Sequence, residues 1–207
     1  MTITYPLTLP VATKAIASIE IRATNAVAYS RSPFTFSGQT FAYAGQMWQA
    51  DIKLKPMKRA DAEQWIGWLI SLRGMLGTFL IGDPTGATAR GAATGTPLVN
   101  GANQTGGTLV IDGATPNVTD WLKTGDYIQL GSAGTARLHK VLTNANSDAS
   151  GNVTLDIWPH LRTSPANNAT VIVSSAKGLF RLSSNEQAWS VNEAAIYGIT
   201  FGAMEAV

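Results

Sequence analysis

Between Gln46 and Pro84 the hydrophobic period of the chain changes twice. In Gln46–Lys55 the residues Trp48, Ala50, Ile52 and Leu54 fall on one face and Gln49, Asp51, Lys53 and Lys55 on the other, the signature of a half-buried strand. After Pro56 the apolar positions Ala62, Trp65, Ile66, Leu69 and Leu72 recur at helical spacing, and Gly74 offers a left-handed exit. This predicts a helix over residues 59–73, with Asp61 and Glu63 near its start and Arg73 near its end, signs that suit the helix dipole. A second strand, Thr78–Ile81, follows at once. An amphipathic helix between strands needs a sheet to cover, and no other segment reads convincingly as a helix. The fold class is therefore mainly β with one flanking α-helix.

Further strand signals precede this block. Ile19, Ile21 and Ala23 alternate with polar residues, and Ser32–Gly38 separates a candidate near Val27–Tyr29 from one near Phe41–Tyr43. Beyond Ile81, the turn Gly82–Gly86 begins about 20 residues of Gly, Ala, Thr and Asn with little to bury, which reads as a boundary. Five short strands are then expected, at Thr108–Ile111, Asp126–Leu130, Thr135–Leu142, Val153–Trp158 and Thr170–Val173, enough for a small inserted β-barrel. The tail, with Gly178–Leu182 and Ala194–Met204, is too short to bury a core of its own and is expected to return to the first sheet. The resulting division is a discontinuous domain of residues 1–86 and 177–207 with residues 87–176 inserted in it.

Composition removes several classes of chemistry. The 207 residues contain no cysteine, so disulfides, thiolate metal sites and cysteine nucleophiles are excluded. The formal charge is only +2, and the basic residues stand singly, without a block suited to nucleic acid or a membrane surface. The amino terminus alternates Ile3, Tyr5, Leu7 and Leu9 with small polar residues and does not resemble a signal peptide, and no apolar run has membrane-spanning length. A soluble protein made in the cytoplasm is the expectation.

The two histidines, His139 and His160, lack a companion carboxylate motif, and no nucleophile elbow, zinc-protease or phosphate-loop pattern occurs. No enzyme, metal or cofactor is expected, although dispersed carboxylates leave a glycoside hydrolase formally open. Asn103, Asn117, Asn152 and Asn168 each begin an Asn-x-Thr triplet, read as turn chemistry. Six tryptophans remain. Trp48 and Trp65 have the phase of core residues. Trp68 reads as out of phase with Trp65 and, with Arg73, marks a candidate assembly interface. Trp121 and Trp158 lie beside turns of the middle segment and are a candidate ligand face, weighed against a place in the barrel's core.

The stretch Trp48–Trp65, continued by Leu72–Pro84, resembles the distal tail proteins of long-tailed, non-contractile bacteriophages. The closing segments Gly178–Leu182 and Ile196–Phe201 are similar to the last strands of the same family. This resemblance implies a tail-tube-like β-sandwich with a flanking helix and an inserted barrel of oligonucleotide/oligosaccharide-binding type. It also implies a structural virion role: a homohexameric ring that joins the tail tube to the tip or baseplate hub and lets the genome pass without specific binding. Such a protein is located in the virion tail and assembled in the host cytoplasm. The alternative is a carbohydrate- or receptor-binding module acting through the inserted barrel.

Overall fold

A computed structural model describes residues 2–10 and 15–207. The chain opens with a long hairpin, β1 (Ile16–Arg31) and β2 (Gly38–Leu54), then passes through β3 (Met57–Lys58) into helix α1 (Arg59–Ser71) and out along β4 (Thr78–Ile81). The middle contributes β5 (Gly95–Val99), β6 (Gly106–Ala114), β7 (Tyr127–Leu130), β8 (Arg137–Val141), β9 (Val153–Leu161) and β10 (Val171–Ile172). The chain closes with β11 (Gly178–Leu182), β12 (Trp189–Val191) and β13 (Ile196–Glu205). The protein is mainly β, and α1 is the single α-helix among the described residues.

The strands sort into two sheets. One has the order β1-β2-β13-β11-β4, with β12 and β3 both pairing with β13; all its strands lie before residue 82 or after residue 177. The other has the order β10-β7-β8-β9-β6-β5 and is drawn wholly from the middle segment. Its two end strands meet: Leu98 bridges Thr170, and Val99 exchanges backbone hydrogen bonds with Asn168 and Ala169 at 2.9 Å each. The second sheet is thereby nearly barrel-shaped. The middle segment leaves and rejoins the first sheet at neighbouring points, since Ile81 pairs with Gly178.

Alternation along β2 places Trp48, Ala50, Ile52 and Leu54 on the buried face of the first sheet, and α1 adds Ala62, Trp65, Ile66, Trp68 and Leu69 to the same core. Phe201 and Phe79 lie beside these rings, with Trp68 to Phe79 at 5.0 Å and Trp68 to Phe201 at 5.8 Å between centroids. The helix ends as Arg73 and Gly74 both turn left-handed, at φ 53° and 66°. Gly74 is suited to this for want of a Cβ, whereas Arg73 is not. A second core fills the barrel with Trp121, Leu109, Ile111, Ile128, Leu155 and Ile157 among others.

Three expectations are corrected. The candidates at Ile19–Ala23 and Val27–Tyr29 are one strand, as are those at Phe41–Tyr43 and Gln46–Leu54, so the hairpin is far longer than the patterns suggested. The glycine-rich boundary contains a strand, β5, in which Pro97 and Val99 are buried by closure of the barrel. Arg73 lies beyond the helix rather than in its last turn.

Candidate assembly surface

From Ala23 to Gln46 the hairpin contains one charged residue, Arg31, and ten of its residues form the five paired positions Val27↔Ala42 to Arg31↔Gly38. At about 3.4 Å per residue this section projects roughly 17 Å before its turn. Directly paired residues share a face. Val27, Tyr29 and Arg31 therefore lie on one side with Thr40 and Ala42, while Phe41 and Tyr43 lie on the other with Ala26 and Ala28. Phe34 and Phe36 occupy the tip, where the Arg31 guanidinium sits 4.5 Å over the Phe36 ring. Phe34 is 92% exposed, and Val27, Tyr29, Phe36, Phe41 and Tyr43 are each more than half exposed. An arm that is apolar on both faces and nearly uncharged has the surface of an interface rather than of a solvated loop.

The arm's root is anchored. Between Asn25↔Gln46 and Val27↔Ala42 the register shifts, with Ala26 opposite Tyr43, Ala44 and Gly45, a bulge that separates the arm from the body. Asn25 Oδ1 accepts the Trp158 indole N–H at 2.8 Å, Gln46 Oε1 accepts the His160 backbone N–H at 2.7 Å, and the Gln46 carbonyl accepts an Arg162 N–H. All three donors belong to β9 or the residue just beyond it. Trp48 extends the joint: its indole N–H donates to the Leu138 carbonyl at 2.9 Å, and its ring meets Trp158 edge to face at 4.4 Å.

Beneath this contact lies Glu205, buried at the end of β13. It accepts two N–H groups of Arg162 at 2.9 Å each and the Trp48 backbone N–H at 3.2 Å. His139 is buried nearby, with Nδ1 2.7 Å from the Pro159 carbonyl, and burial lowers its pKa to about 4 despite that hydrogen bond.

A second feature suited to assembly is the outer edge of β1. In the first sheet β1 is a terminal strand, paired only with β2 among the described residues. Along a 16-residue strand, the alternate residues that turn their backbone N–H and C=O away from β2 form a template for another strand. The face of the sheet turned away from α1 carries Glu20, Arg22, Asp51 and Lys53, with Arg22 paired to both Asp51 and Glu20.

The tryptophans and Arg73 are placed as follows. Trp68 is buried, not at an interface: it lies three residues from Trp65 and hence on the same helix face, its ring 5.7 Å from Trp65, and its N–H donates to the Thr8 carbonyl at 2.8 Å. Arg73 is exposed at the helix exit, near the exposed Ile70 and Leu76. Trp121 is fully buried in the barrel with its N–H on the Thr94 carbonyl at 2.8 Å, so its ring cannot stack on a ligand. Trp158 is half-buried and packs against the arm's root, 133 residues from Asn25 in sequence. The two rings form no common face, since one fills the barrel and the other the joint. The residues missed in the sequence are the arm's aromatics, for which the signal was 24 residues with a single charge.

No family model and no curated protein matches this chain.

Proposed function

We propose that the protein is a structural component of a bacteriophage tail, assembling as a homohexameric ring between the tail tube and the tip or baseplate. The arm from Val27 to Ala42 carries this reading: apolar residues on both faces and at the tip call for burial between two partners, as a closed ring of identical subunits supplies. The free β1 edge supports it by offering a neighbour a site for strand addition. The resemblance of Trp48–Trp65, Leu72–Pro84 and the closing strands to distal tail proteins supplies the virion context. The genome would pass through the ring's opening without specific contacts.

Electron microscopy with mass photometry across a concentration series tests the reading, on the full chain and on a variant with residues 26–45 replaced by Asn-Gly, a two-residue turn suited to joining Asn25 to Gln46. The full chain is expected to form six-fold rings and the variant to remain a folded monomer. A full chain that stays monomeric, alone and with tube protein, overturns the ring. Rings formed by the shortened variant would remove the arm from the assembly.

A further inference from the structure

Beside the joint, where Arg162 meets Glu205, lies a pocket of about 330 Å³ bounded by Leu130, Thr135, Arg137, His139, Arg162 and Thr163. Three observations specify what would fit it. First, the His139 ring is almost wholly buried, and its Nδ1 faces a carbonyl, which can only accept. Nδ1 therefore carries the hydrogen, and the neutral ring presents Nε2 as an acceptor. Nε2 has no hydrogen-bond partner among the described residues, and it is not sealed from solvent, so its remaining access is to the pocket.

Second, Arg137 donates from one terminal nitrogen, Nη1, to the Ala136 and Ala206 carbonyls at 3.3 and 3.1 Å. Its Nε and Nη2, the side-on fork that matches a carboxylate, have no partner among the described residues, and no carboxylate lies within ion-pair distance of it. Arg162 differs, being neutralised by Glu205. The pocket thus has one uncompensated positive charge. Third, Leu130 and Ala169 give the wall an apolar portion, and the volume is at the small end of ligand sites.

We propose that this pocket binds the carboxylate-bearing sugar unit of an acidic polysaccharide, a uronic acid, with the carboxylate on Arg137 and a ring hydroxyl donating to His139 Nε2. A free sulfate answers only half of this description, because a fully ionised oxyanion has no hydrogen to offer Nε2. A neutral sugar answers the other half. The proposal is independent of the ring, since no residue of the arm bounds the pocket.

Titration of the full chain with sodium glucuronate, glucose and inorganic sulfate, followed by two-dimensional amide NMR, separates these cases. Glucuronate is expected to saturate and to shift signals around Arg137 and His139, with glucose and sulfate at least about tenfold weaker. Arg137→Gln should weaken glucuronate by a similar factor. Ala166→Trp, placed at the exposed rim, should abolish binding with the melting temperature unchanged. Glucuronate that does not saturate, or binding indifferent to both variants, overturns the proposal. Sulfate or glucose binding as tightly as glucuronate would also overturn the assignment to a sugar acid.

Discussion

Replacing Arg162 by Met should destabilise the protein far more than loss of an ordinary ion pair. Its partner Glu205 has a side chain only 2% exposed, whereas Arg162 itself is 29% exposed. Surface pairs contribute at most about 1 kcal/mol, but removing one member of a buried pair costs roughly 3–5 kcal/mol because the other charge stays desolvated. Arg162→Met leaves the Glu205 carboxylate with the Trp48 N–H as its remaining donor, while solvent reaching the arginine moderates the loss. The expected cost is therefore at the low end, about 3 kcal/mol, or roughly 6–12 °C in Tm for a chain of this size. Glu205→Gln keeps an acceptor for Trp48 and frees a guanidinium that can reach water, so about 1–2 kcal/mol is expected. The double variant should recover part of the difference, with a coupling of about 1–3 kcal/mol. Guanidinium denaturation followed by tryptophan fluorescence is a suitable assay, because Trp48 and Trp158 stand at the joint. A cost under about 1 kcal/mol for Arg162→Met, or strict additivity in the cycle, would refute the reasoning.

Trp68→Ala should cost about 3–5 kcal/mol by emptying a site between α1, Phe79 and Phe201, measured as a shift in the denaturation midpoint. Phe34→Ser with Phe36→Ser should leave the melting temperature nearly unchanged, since neither ring contributes to a core, yet lower the ring fraction in mass photometry. For His139 the folded pKa is near 4 and the ordinary value 6.5, so between these values the unfolded chain binds the proton and the folded one does not. Its contribution leaves stability unchanged above about pH 6.5 and lowers it as pH falls towards 4, by on the order of 3 kcal/mol in all; His139→Gln should flatten that slope in denaturation series at several pH values.

Local periodicity made the strand–helix–strand unit legible, because the face that β2 buries and the face that α1 buries are both written in consecutive residues. Trp68 belongs to that same helix face, three residues on from Trp65, and the expectation that set it out of phase was mistaken. The amino-terminal segment also lies against α1, with the Tyr5 hydroxyl donating to the Ser71 carbonyl at 2.7 Å and Thr8 accepting from Trp68. The helix is thus covered across a wider stripe than a single sheet contact requires. Strand β5 was missed because its short Gly-Thr-Pro-Leu-Val sequence owes its place to barrel closure with residues 168–170, a contact no local pattern encodes. The arm's strands were visible, but alternation looks alike in a strand laid on a core and in one that awaits a partner. The pocket was invisible for a similar reason: Arg137, His139 and Arg162 meet only when β8 and the end of β9 are set side by side.

The bonds at the arm's root bear on how such an arm could work. A flexible 24-residue hairpin would lose much of its interaction energy to ordering on assembly, at a cost that grows with every immobilised residue. Here the last pair before the bulge, Asn25 and Gln46, is held by hydrogen bonds from Trp158, His160 and Arg162. Arg162 is in turn fixed by the buried Glu205. The direction in which the arm leaves the body is therefore set by the second sheet, although both strands of the arm belong to the first. This arrangement gives the middle segment a role in assembly that does not require it to touch a neighbour. The barrel orients the arm, and the arm's aromatic faces then meet a partner with part of the ordering cost already met within the subunit.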